Sequence, residues 1–158
     1  MRNEQEIKNK IIEIVGASYV FTDDETLNEY GKDHTEDLVY PPSILVKPAS
    51  TKEVSAVMKI AFEYAIPVVP IGARTGLSGG ILAVHKGIGL SLERLNQIEK
   101  IDEENLQVIT QPAVITEVLQ KAVAEKGLFY PVDPSSKGCC FIGGNIAENA
   151  GGARAVKY

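Results

Sequence analysis

The chain has 158 residues, 44% of them hydrophobic, which is enough apolar material for one compact domain of ordinary size. Its formal net charge of −5, with no basic stripe, argues against a nucleic-acid partner, whose phosphates are bound through clustered Lys and Arg. The start, Met1-Arg2-Asn3-Glu4-Gln5-Glu6, is too polar for a signal peptide, no run has membrane-spanning length, and adjacent Cys139 and Cys140 cannot form a disulfide framework, so a cytoplasmic chain with reduced thiols is expected.

Ile7, Ile11, Ile14 and Val15 recur at helical spacing among charged residues and stop at Gly16, which predicts an amphipathic surface helix. Between Tyr19 and Pro42 the periodicity fades; a short helix over 25–30 and then a long loop are expected. Ile44-Leu45-Val46 reads as a strand. Ser50 with Glu53 has the form of a capping box, opening a helix whose inward face is Val54, Val57, Ala61 and Ala65. A second buried strand, Ile66-Pro67-Val68-Val69-Pro70, completes a βαβ unit with parallel strands. A third strand is expected at Gly89-Leu90-Ser91-Leu92. Residues 97–102 and 106–112 form an antiparallel pair around the polar turn Glu103-Glu104-Asn105. A helix over 116–126, with Val118, Leu119, Ala122 and Val123 on one face, stops at Gly127. The last thirty residues are rich in Pro, Ser, Gly and Asn.

Three stretches carry chemistry. Pro70-Ile71-Gly72-Ala73-Arg74-Thr75-Gly76-Leu77-Ser78-Gly79-Gly80 follows a predicted strand, and its four glycines let the backbone approach a bulky anion and aim N–H groups at it. It has neither the Rossmann nor the Walker spacing, and glycine content alone fits a flexible loop equally well. Tyr130-Pro131-Val132-Asp133-Pro134-Ser135-Ser136-Lys137-Gly138 is the second; its Asp133 reads as fixing the loop. The third is Ile142-Gly143-Gly144-Asn145-Ile146-Ala147-Glu148-Asn149-Ala150-Gly151-Gly152, where paired glycines bracket a short helix with two Asn on one face. His34 and His85 are far apart without supporting carboxylates and read as solvated, so neither a metal site nor a catalytic pair is expected.

This ordered set resembles the FAD-binding domain of the p-cresol methylhydroxylase / vanillyl-alcohol oxidase superfamily, in its glycolate oxidase / D-lactate dehydrogenase branch. The resemblance covers nearly the whole chain from Asn28. It implies that residues 72–80, led by Pro70 and Ile71, wrap the FAD pyrophosphate. It further implies that Pro134, Ser135, Gly138, Cys140, Ile142, Gly143, Gly144, Asn145, Asn149, Ala150, Gly151 and Gly152 line the ribityl chain and flavin ring. The family commonly has Arg where this chain has Ile71 and Gly where it has Arg74; the Arg74 guanidinium either reaches a phosphate or points to solvent. Relatives with covalent FAD often use a His at the position of Thr75, so noncovalent FAD is expected.

The implied fold class is α+β with an α/β start: a small parallel βαβ subdomain with flanking helices, then the beginning of a mixed or antiparallel subdomain. Residues 1–40 are expected as an N-terminal helical segment and 41–158 as a partial FAD-binding domain, its first subdomain over about 41–95 and its second beginning over about 96–158. A substrate domain carrying catalytic residues is expected to be absent, so no catalytic residue is assigned here, and the exposed edge is expected to drive homo-oligomerisation. The implied activity is oxidation of a small 2-hydroxyacid, of D-lactate or glycolate type, to the 2-oxoacid. The alternatives are a truncated FAD- or phosphate-binding module that works only with a partner chain, and a non-flavin anion-binding α/β domain.

Overall fold

An amphipathic helix, α1 (Arg2–Val15), opens the structure, a computed structural model that describes residues 2–35 and 37–158. α1 turns Ile11 and Val15 into the core and ends where Gly16 takes φ 88°. After a single 3-10 turn, Ala17–Tyr19, the chain forms β1 (Val20–Phe21), which pairs antiparallel with β2 (Ile44–Val46). A two-residue strand is too short to show a period, which is why the sequence does not announce it. α2 (Asp24–Tyr30) starts at Asp23, whose carboxylate accepts the Thr26 N–H at 2.9 Å.

The capping box forms: Ser50 Oγ accepts the Glu53 N–H at 3.2 Å, and the Glu53 carboxylate accepts the Ala49 N–H at 2.8 Å, one residue ahead of the usual partner. α3 (Thr51–Glu63) buries Val57, Ile60 and Ala61. Ala65, expected on this inward face, is instead exposed beyond the helix end at φ 50°, and the Ile66 N–H returns to the Ala61 carbonyl at 2.8 Å, closing the helix before Ala65 can join it. β3 (Val68–Ile71) and β4 (Ile88–Ser91) complete a four-stranded sheet of order β1-β2-β4-β3. β2 and β3 are parallel, as the βαβ reading expects, but both pair with β4, which lies between them with every residue buried. β3 is therefore an edge strand rather than a buried one: Val68 and Val69 are half-covered, and Pro70 is exposed where a missing N–H does no harm.

Successive strand residues face opposite sides. Val46, Ile88 and Leu90 pack with Ile11, Val57 and Ala61 beneath α1 and α3, whereas Leu45 and Ile71 pack with Leu27 and Tyr30 of α2. These elements make up one compact unit, Met1–Arg94.

The other unit, Leu95–Tyr158, begins with β5 (Ile98–Asp102) and β6 (Gln107–Thr110), antiparallel with a bulge near Ile98. α4 (Thr116–Ala124) buries Thr116, Leu119 and Val123; Val118, expected inward, is half exposed because the inner stripe runs through Thr116, Leu119 and Val123 at spacings of three and four, which leaves Val118 to one side. α5 (Ile142–Ala147) adds Ile142 to a core of Val114, Leu119 and Val123. A mainly parallel sheet with helices, followed by an antiparallel pair with its own helices, is the α+β class that the sequence implies.

Candidate cofactor-binding site

The glycine-rich loop leaves the C-terminal end of β3, and Lys47 and Glu93 follow the C-terminal ends of β2 and β4. That edge of a parallel arrangement is where α/β proteins place ligands. Arg74 and Gly79 hold left-handed φ values of 61° and 72°, a conformation that turns successive N–H groups to a common side. The N–H groups of Ala73, Thr75 and Leu77 have no acceptor among the described residues. Ile71 belongs to the core, and Pro70 sits on the edge strand.

Arg74 neither points to solvent nor stands free for an anion. Its guanidinium donates to the Glu29 carbonyl at 2.8 Å and carboxylate at 3.0 Å, and lies 4.2 Å from the Tyr30 ring centre. A few residues on, the His34 N–H donates to the Gly76 carbonyl at 3.0 Å, and Asp33 Oδ2 accepts the Gly79 N–H at 3.1 Å. Asp33 Oδ1 accepts the Thr35 N–H at 2.8 Å. The Thr35 hydroxyl is buried without a hydrogen-bond partner among the described residues. These contacts tie α2 and the turn after it to the glycine loop, a role that no local pattern around Asp33 reveals.

Behind the loop, Tyr30, Lys47 and Glu93 form a closed triangle. Lys47 donates to Glu93 at 2.8 Å and to Tyr30 at 2.7 Å, the Tyr30 hydroxyl donates to Glu93 at 2.6 Å, and Ser91 adds a bond to Glu93 at 3.1 Å. Burial opposes the charge on both Lys47 and Glu93, yet their mutual bonds prevail: Lys47 is held above the ordinary lysine value and Glu93 below that of an ordinary glutamate. Burial, followed by the Glu93 bond, raises Tyr30.

In the second unit the third motif, with Cys140 just ahead of it, divides in two. Cys140, Ile142 and Asn145 are buried scaffold: Asn145 Nδ2 donates to Thr116 Oγ1 at 2.5 Å, and Cys140 Sγ lies 3.2 Å from the same hydroxyl. The expectation of two Asn on one helix face is not met, because α5 stops at Ala147 and leaves Asn149 exposed at φ 53°. Gly143 packs on Pro112, where a Cβ would come within 2.8 Å of that ring. At Gly152, φ 82°, a Cβ would meet the Asp133 carbonyl oxygen at 2.0 Å. Asp133 does fix this loop: it accepts from Lys137 at 2.8 Å and pairs with Arg154 at 3.6 Å, its N–H bonds the Gly151 carbonyl, and the Lys137 bond leads in holding its carboxyl below the usual range. Pro134 caps the turn to Lys137, Ala150 returns its N–H to the Asn145 carbonyl, and Ser135, Gly138, Gly144 and Asn149 remain exposed.

The model of a family described as FAD binding domain matches residues 42–158. The chain belongs to this family. The glycolate oxidase subunit GlcD of Bacillus subtilis (strain 168) is 40% identical over 154 residues, 98% of this chain and 33% of that protein. A D-2-hydroxyglutarate dehydrogenase of Stutzerimonas stutzeri (strain A1501) is 40% identical over 145 residues, 92% of this chain and 31% of its own. The chain thus spans about a third of the length of these curated relatives. The fold is shared with alkyldihydroxyacetonephosphate synthase, whose structure superposes with a TM-score of 0.88 at 19% identity, over 98% of this chain and 31% of that one.

FAD is the cofactor of the family, and this FAD binding domain carries features that fit it. The N–H groups of Ala73, Thr75 and Leu77, without an acceptor among the described residues, suit phosphate oxygens, and the Thr35 hydroxyl finds no partner among those residues, where a buried polar group ordinarily has one. A Cβ placed on Gly138 or Gly144 would meet nothing within 4 Å, so both leave open room for a bulky group. Among the described residues no helix is long and apolar enough to cross a membrane.

Proposed function

We propose that this chain holds FAD noncovalently within a flavin-dependent oxidoreductase that converts a small 2-hydroxyacid to its 2-oxoacid. The observation that carries the reading is the glycine loop: left-handed at Arg74 and Gly79, tied down at both of those points, and still offering N–H groups that no described residue engages. Residues 72–80 receive the pyrophosphate through the backbone. Thr75, which has no imidazole, leaves the cofactor unattached. In the second unit Gly138 and Gly144 leave space, and Ser135 and Asn149 offer a hydroxyl and an amide to the polar parts of the cofactor. Bound FAD would accept the two electrons released when the hydroxyl-bearing carbon is oxidised. The names of the relatives, a glycolate oxidase subunit and a D-2-hydroxyglutarate dehydrogenase, support the 2-hydroxyacid class, and turnover is proposed for this domain in the setting of proteins of those relatives' length, of which the chain spans about a third.

Titration of the purified chain with FAD, followed by flavin fluorescence quenching, tests the cofactor assignment. Saturable one-to-one quenching is expected; no quenching at FAD concentrations well above those typical of flavoproteins overturns it.

A further inference from the structure

The family match begins at residue 42, yet the glycine loop is held by residues well before it. Arg74 is bound to Glu29 and Tyr30 at one end of the loop, and at the other His34 and Asp33 take the Gly76 carbonyl and the Gly79 N–H. The Asp33 carboxylate lies against the loop at Gly76 as well: a Cβ placed there would touch Asp33 Oδ2 at an ordinary contact distance of 3.7 Å. A carboxylate beside a phosphate cradle is unexpected on charge alone, since it repels the ligand. Here each oxygen already accepts a backbone N–H, one from Thr35 in its own turn and one from Gly79 in the loop, so its charge is taken up by backbone donors.

Four glycines make residues 72–80 costly to order, because fixing each backbone residue opposes binding by about 1–2 kcal/mol. Contacts that order the loop in advance remove that cost from the binding step. We propose that Asp33 is a positioning residue of the cofactor site: through Gly79 it holds the loop in its anion-receiving shape before the ligand arrives. The proposal rests on the reading of the loop as the FAD pyrophosphate cradle. It extends the functional segment upstream to α2 and the turn that follows it.

The test uses Asp33→Ala and Asp33→Asn in the full chain, with amide hydrogen exchange of the ligand-free protein, FAD titration and thermal melting measured side by side. The wild-type Gly79 amide is expected to be protected, and D33A to abolish that protection. D33A should also weaken FAD binding by roughly tenfold or more, the size of one lost charge-assisted hydrogen bond, with the melting temperature nearly unchanged. D33N, which keeps one carbonyl oxygen as acceptor, should fall between the two. An unprotected wild-type Gly79 amide overturns the proposal whatever FAD does. So does D33A binding FAD as tightly as wild type or tighter, and so does a loss of binding that merely follows a collapse in melting temperature. Wild-type protein that shows Gly79 protection but no FAD binding instead removes the cofactor reading, and the proposal with it.

Discussion

The Tyr30 hydroxyl and the Glu93 carboxylate meet at 2.6 Å, although 63 residues separate them in the chain, and Lys47 closes the triangle from the end of β2. Its lysine side chain is mostly covered and its glutamate about one-third exposed. Removing the lysine leaves a carboxylate with one compensating partner fewer, in surroundings where an unpaired charge is costly.

Lys47→Met should therefore lower stability by about 1–3 kcal/mol, discounted from the cost of a fully buried pair because Glu93 retains some water. The pH dependence follows from the directions of the shifts. Glu93 lies below its unfolded value near 4.3, so its contribution is present above that pH and is lost as pH falls through the lower folded value. Lys47 lies above its unfolded value near 10.4, so its contribution is present below that pH and is lost as pH rises through the folded value. Tyr30, also raised, adds to the loss above about pH 10. Melting of wild type and K47M across pH should show a wide, level gap through neutrality that narrows in acid.

At Arg74 a left-handed φ of 61° is imposed on a residue with a side chain, compensated by Glu29 and Tyr30. Arg74→Ala loses those contacts and keeps the strain, whereas Arg74→Gly loses the contacts and sheds the strain. R74G should be more stable than R74A by about 1 kcal/mol. Chemical denaturation of the two variants measures the difference; equal midpoints would show that the φ value carries no cost.

Thr116→Val removes the acceptor of the buried Asn145 amide and leaves that donor unpaired. A loss of about 1–3 kcal/mol is expected. Thr116→Ser, which keeps the hydroxyl, should recover most of it in the same melting experiment.

Gly144 lies inside α5, and a Cβ there touches nothing. Gly144→Ala should stabilise the ligand-free chain by up to about 1 kcal/mol through helix propensity. If that open face receives FAD, as proposed, the same substitution weakens FAD binding. Calorimetry of FAD binding alongside melting reads both effects, and unchanged affinity would move the cofactor away from Gly144.

Local pattern carried much of the architecture. The Ser50 and Glu53 cap, the helical repeat of Ile7, Ile11 and Val15, and the polar turn before Leu106 each act within a few residues, where propensity and period are decisive. Two departures fell at element ends, at Ala65 and Asn149, where the chain turns left-handed without glycine and nothing in the residue type marks the stop; the others, Val118 and the edge strand β3, turned on which neighbour covers a face.

The sequence by itself determined the family, because three glycine-rich motifs in a set order depend on backbone demands that few residue types meet. It also determined the strand and helix succession from β2 onward that supports them. Only the tertiary structure decided that β4 lies between β2 and β3, that Asn145 turns inward while Asn149 faces out, and that Asp33 reaches Gly79 across 46 positions of chain. Such choices rest on which distant surfaces pack together, and that is set by burial over the whole unit rather than by any residue's neighbours in sequence.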